Sequence, residues 1–134
     1  MAALRLLAAE AGDLPPLSAL LQDAILRAGD VALDARARRV ALLVARYRWE
    51  DRAQPSRVRC LVTIRTVLRV ERLAWPQHPD SPLELLSLRE DRPGRLRLDC
   101  AGGAALRLEV EVVDVALDDS GAPWPVRRRP AHRI

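Results

Sequence analysis

The chain has 134 residues, enough for one core and little more, and at 49% apolar and 30% charged residues it reads as a soluble globular protein. Its 22 basic residues are all arginine, yet 18 acidic residues hold the net charge to +4, which argues against a dedicated polyanion-binding stripe. No apolar run approaches the ~18 residues of a membrane span. The opening "MAALRLLAAEAG" is interrupted by Arg5 and is poor as an export signal.

"ALRLLAA" predicts a short first strand. "GDLPPLSALLQDA" then predicts a helix, with Asp13 as N-cap and Pro15 and Pro16 in the first turn. Leu17, Leu20, Leu21 and Ala24 recur at helical spacing and give it one apolar face. After the Gly29-Asp30 punctuation, "VAL" reads as a short strand or the far side of a turn.

The segments Arg39 to Asp51 and Arg57 to Glu71 are rich in β-formers and are joined by a loop over Arg52 to Ser56. In the second segment Val58, Cys60, Val62, Ile64, Leu68 and Val70 alternate onto one face. In the first, Leu43, Ala45, Tyr47 and Trp49 are expected to continue a core face, with Arg46 and Arg48 on the opposite side. The prolines of "AWPQHPDSP" make that stretch a loop.

Two further strands, "RLRLDC" and "LRLEVEV", flank the glycines of "CAGGAALR". Adjacent glycines between period-two strands point to a hairpin turn, not to a phosphate loop, whose spacing they lack. A register pairing Cys100 with Leu106 sets Arg97 by Glu109, Arg95 by Glu111 and Asp99 by Arg107. The alternative sets Arg97 against Arg107. Charge complementarity favours the first, with a loop from Ala101 to Ala105. Past Val112 the alternation slips, which predicts either a bulge at Val112-Val113 or a short helix over Val113 to Asp119.

The combined expectation is an α+β domain over residues 1–119, with a Pro/Arg-rich tail over 120–134. One N-terminal helix packs on a curved, mainly antiparallel sheet of about six to seven strands, with a partly closed, pleckstrin-like barrel as an analogy.

"LSALLQDA", "RYRWED", "CAGGAALRLEVE" and "GAPWPV…RPAH" occur in this order. In this the chain resembles a family of small bacterial proteins catalogued as domain of unknown function 2948. The similarity spans nearly the whole length. In that family an asparagine commonly precedes the "RYRWED"-like segment, where this chain has Ala45. The resemblance implies membership and no activity.

Chemistry-bearing residues are scattered. Cys60, His78, Cys100 and His132 include no closely spaced ligand pair, so neither a metal nor another cofactor is expected. Both cysteines fall on apolar strand faces and read as buried thiols. No G-x-S-x-G is present. Asp114, Asp118 and Asp119 read as solvated carboxylates at a strand end. The expected function is a non-catalytic cytoplasmic binding or assembly module, acting on a protein partner or a second copy of the chain. Tyr47, Trp49, Trp124, Arg127, Arg128, Arg129 and His132 are the candidate contact residues. RNA or a phosphate ligand bound through the arginines is the first alternative, and a small enzyme of unidentified chemistry the second.

Overall fold

The computed structural model describes residues 3–130. Ten strands and one short α-helix follow in the order β1 (Arg5–Ala8), α1 (Leu14–Leu21), β2 (Ile25–Arg27), β3 (Val31–Asp34), β4 (Arg39–Tyr47), β5 (Ser56–Ile64), β6 (Val67–Leu73), β7 (Pro82–Arg92), β8 (Arg95–Cys100), β9 (Ala105–Val110) and β10 (Val115–Pro125). Every pairing is antiparallel, and the strands lie in the order β1-β10-β5-β4-β2-β7-β8-β9-β6, with β3 also on β4. The architecture is therefore a mostly antiparallel sheet with one helix. Ten strands replace the six or seven expected, and the hydrogen-bonded path is open, because β1 and β6 each pair on one side only.

Helix α1 begins where the sequence signals place it, after Asp13 and with prolines in its first turn. Asp13 Oδ2 accepts from the backbone N–H groups of Ala9 and Glu10, which fixes the turn that enters the helix. Leu14, Leu17 and Leu21 are buried, and the Ser18 hydroxyl accepts the Leu88 backbone N–H at 2.9 Å, tying α1 to β7.

The extra strands have identifiable causes. The single long strand expected over Arg57 to Glu71 breaks at Thr66, whose φ is +58°. This corner reverses the alternation locally: Val67 is buried while Leu68, expected inside, is exposed, and a register shift between Val67 and Arg69 returns Val70 to the core side as expected. Strand β7 was hidden because its pattern is irregular. A register shift between Leu85 and Ser87 lets Leu83, Leu85 and Leu88 all face the core while Leu86 points out.

The β8–β9 hairpin is the clearest correction. Leu98 pairs with Leu106 and Arg97 with Arg107, and Ala105 already belongs to β9. The like-charge opposition carries little penalty because each guanidinium has its own carboxylate. Arg97 Nε lies 2.8 Å from Asp99 Oδ1, and Arg107 Nη2 lies 2.8 Å from Glu71 Oε2, supplied by β6 on the far side. The third strand thus resolves a clash that a two-strand comparison cannot. Gly102 (φ +83°) and Gly103 (φ +93°) make the short turn possible, and the Cys100 N–H bonds the Ala104 carbonyl at 2.8 Å.

Neither a bulge nor a helix follows β9. The strand ends at Val110, the chain bends through residues 111–114, and β10 joins the other half of the sheet beside β5 and β1. That bend docks on the Thr66 corner. The Glu111 N–H bonds the Thr66 carbonyl at 3.0 Å, the Thr66 hydroxyl donates to the Val112 carbonyl at 2.9 Å, and the Arg65 N–H bonds the Asp114 carbonyl at 2.9 Å. Two crossovers between the halves of the sheet therefore brace each other. β10 also runs through 120–125, so Trp124, expected in a tail, sits in a strand opposite Arg57 of β5.

Leucine, valine and alanine fill the core. Cys60 and Cys100 lie within it as free thiols.

Candidate functional site

Strands β4, β5 and β10 carry two contrasting surfaces. On β4 the core face is Val40, Leu42, Val44 and Arg46, not the aromatic face expected from the sequence. Arg46 is 0% exposed. Its Nε and Nη2 donate to Asp119 Oδ1 and Oδ2 at 2.8 and 2.6 Å, and its Nη1 and Nη2 to Glu50 Oε1 and Oε2 at 2.9 and 2.6 Å. The remaining Nη1 donor reaches the Tyr47 carbonyl at 3.3 Å. Every guanidinium donor is thereby used.

The Asp119 side chain is correspondingly almost inaccessible, a correction to its reading as a solvated carboxylate, whereas Asp118 and Asp114 pair near the surface with Arg5 and Arg65. Burial opposes the charge on Arg46, but the hydrogen bonds to Asp119 and Glu50 outweigh it and raise its basicity. The same bonds hold the Glu50 carboxyl below its ordinary value.

Above this cluster lies a cleft of about 550 Å³, walled by Leu4, Arg5, Arg48, Glu50, Asp119 and Pro123. Its polar walls have partners: Arg48 Nη1 reaches Asp51 Oδ2 and the Ser56 hydroxyl, both at 3.2 Å, and Glu50 and Asp119 hold Arg46. Cys60, paired with Asp119 across the ladder, has its thiol pushed up to about 12 by burial and by that carboxylate. Burial likewise takes Cys100 to about 11. Neither thiol supplies a thiolate near neutral pH. The cluster therefore closes the end of the core, with its guanidinium and carboxylates hydrogen-bonded to one another. Among the described residues no three His, Cys, Asp or Glu side chains converge as a metal site.

The opposite face of the same strands is open. Cross-strand partners share a face, which puts Leu43 beside Leu61, Ala45 between Ile25 and Arg59, and Arg57 between Tyr47 and Trp124. Ile25, Leu43, Leu61 and Trp124 are each at least 38% exposed. A depression of about 260 Å³ runs among Ile25, Leu43, Ala45, Arg59 and Trp124. Arg59 makes no ion pair among the described residues.

The residues singled out from the sequence divide across this face. Tyr47 is buried, with its ring centroid 4.6 Å from that of Trp49 in an edge-on arrangement and the Arg57 guanidinium 5.9 Å from its centroid. Trp49 is half-buried and donates its indole N–H to the Gln22 carbonyl at 3.0 Å. Arg57 Nη1 donates to the Asp23 and Ala45 carbonyls at 3.1 and 3.0 Å, and burial lowers its basicity. Trp124 stands at the open margin. Arg127 and Arg128 are exposed, Arg129 Nη2 donates to the Arg52 carbonyl at 3.2 Å, and His132 lies outside the described residues.

Sequence reasoning missed the Arg46 cluster and the pairing of Leu43 with Leu61. One signal was available for the first: Leu42 and Val44 are bulkier than Ala41 and Ala45, which marks the Arg46 face as the inner one. Asp119 lies 73 positions from Arg46 and could be placed only through the β5–β10 ladder.

No helix of the described residues is long and apolar enough to cross a membrane. No curated protein and no solved structure matches the chain. The sequence model of one family, described as a protein of unknown function (DUF2948), matches residues 4–132, nearly the whole chain. The chain belongs to the DUF2948 family.

Proposed function

We propose that this protein is a non-catalytic cytoplasmic binding module whose outer sheet face docks a protein partner. The observation that carries the reading is the exposed apolar stripe formed by Ile25, Leu43, Leu61 and Trp124 around Arg59. Scattered apolar side chains are ordinary on a surface, but these stand on four adjoining strands, with Leu43 and Leu61 as direct ladder partners. An apolar sheet face with the ion-pair-free Arg59 among its apolar side chains fits a partner segment that offers apolar side chains and a carboxylate. The polar cluster of Arg46, Glu50 and Asp119 supports the non-catalytic part of the reading, because its hydrogen-bonding capacity is spent internally.

The test is affinity capture from the native cell with the wild-type chain and with the double variant Leu43→Arg/Leu61→Arg. A protein retained by the wild type and lost by the variant is the expected result. Equal capture by both removes the outer face from the proposal. Sedimentation of the purified chain separates a foreign partner from self-association: a concentration-dependent dimer abolished by the same variant assigns the face to a second copy. Nuclease-sensitive capture that depends on Arg127 and Arg128 would favour the phosphate-binding alternative.

A further inference from the structure

A second surface, sharing no residue with the outer face, follows from the way the sheet fails to close. Strand β4 pairs with β2 along one part of its edge and with β3 along another. From β2 the ladder continues through β7, β8 and β9 to β6. The sequence β3-β4-β2-β7-β8-β9-β6 is thus a ring whose two ends, β3 and β6, do not pair with each other.

Those ends are nonetheless neighbours. The Val67 N–H at the start of β6 bonds the Arg38 carbonyl in the β3–β4 turn at 2.8 Å, and Arg38 Nη1 lies 2.6 Å from Glu111 Oε1 just beyond β9. A groove of about 240 Å³ is lined by Leu33 and Ala35 on one bank and by Val67, Leu68 and Val70 on the other. A second depression of about 140 Å³ continues between Val31 and Arg72. The two banks run antiparallel, since Val67 lies by the end of the β3–β4 hairpin and Arg72 by the start of β3.

From these observations, the geometry points to a strand-acceptor slot between β3 and β6 that takes an extended peptide carrying alternate apolar and carboxylate side chains. Both banks are edge strands, β3 paired only with β4 and β6 only with β9, and beyond the Val67–Arg38 contact an added strand would pair with their free edges as it closes the ring. Val31 and Val70 pack against the core at the floor, while Leu33 and Leu68, 56% and 54% exposed, stand at the rim. Alternate residues of an inserted strand therefore meet apolar surface.

The remaining residues of such a peptide meet positive charge. Arg72, which lines the second depression, forms no ion pair among the described residues. Arg69 reaches Glu71 only at 3.5 Å, and Glu71 is already held by Arg107 at 2.8 Å. The slot is thus short of carboxylates, which a partner strand supplies.

The test uses the full chain and two fluorescein-labelled peptides of 7 residues, the length of β6, alternating valine with glutamate or valine with lysine. Fluorescence anisotropy should show saturable binding of the glutamate peptide and binding at least about tenfold weaker for the lysine peptide. The double variant Leu33→Glu/Leu68→Glu, at exposed positions where folding is little affected, should weaken the glutamate peptide by about tenfold or more. Peptide binding should also slow amide hydrogen exchange in β3 and β6 and leave β1 unchanged. Absence of saturable binding overturns the proposal, as does equal binding of the two peptides. Binding unaffected by the variant, or protection confined to the outer face, overturns it as well. A dimer that forms through the slot while excluding both peptides replaces the peptide with a second copy and overturns it too.

Discussion

Arg46 and Arg57 stand on adjoining strands at the same end of the sheet, and what compensates their charge differs. Arg46 points into the core and is matched by Asp119 and Glu50, which use all its donors and raise its basicity. Arg57 points to the outer face, leans over Tyr47, donates to two backbone carbonyls and loses basicity to burial. The same side chain serves in one place as the node that lets charge enter an aliphatic core and in the other as a lid over an aromatic ring. A buried guanidinium is tolerable only when its carboxylates come with it. The Arg46 end is accordingly closed chemistry, whereas the Arg57 face leads outward to Trp124, Arg59 and the leucine pair.

Removing Asp119 should have the largest effect. Asp119→Ala leaves Arg46 buried with half its charge compensation, and a loss of about 3–5 kcal/mol in urea unfolding is expected. A loss below about 1 kcal/mol would mean that Arg46 escapes to water, and the contrast with Arg57 would collapse. Arg57→Met removes two hydrogen bonds and the cation over Tyr47 but keeps an apolar cover. About 1–2 kcal/mol is expected by the same measurement.

Acid titration probes the Arg46 end selectively. The Glu50 carboxyl is held below its ordinary value of 4.5 by Arg46, so in the folded state it binds its proton less readily than in the unfolded chain. Its contribution is therefore complete above about pH 4.5 and is lost as pH falls through the lower folded value. Glu50→Gln should flatten the acid limb of the stability profile, with a modest cost of about 1 kcal/mol near neutrality because Glu50 is partly solvated. A profile unchanged by Glu50→Gln would contradict the assignment. The outer face should be nearly indifferent: Leu43→Arg with Leu61→Arg is expected to change stability by about 0.5 kcal/mol or less. A large loss there would show that the face is structural.

The sequence revealed what local periodicity carries. Asp13 with Pro15 and Pro16 marked the helix start, the two glycines marked the β8–β9 turn, and Cys60 and Cys100 fell inside because they share a phase with valine and leucine. It misled where a third element decides. The β8–β9 register depends on Glu71 from β6 to satisfy Arg107, and the inward phase of β4 depends on Asp119 from β10. Thr66 changed the phase of an apparently continuous strand through a single backbone angle that no side-chain pattern reports. The outer leucine pair was equally hidden, since Leu43 and Leu61 become neighbours only once the β4–β5 register is fixed.

The division between a closed end and an open face is tested most directly by hydroxyl-radical footprinting of the chain alone and in its captured complex. Loss of labelling at Leu43, Leu61 and Trp124, with the cleft around Leu4 and Pro123 unchanged, is the predicted result. Protection centred on that cleft, with Leu43 and Leu61 labelled as in the free chain, would contradict it.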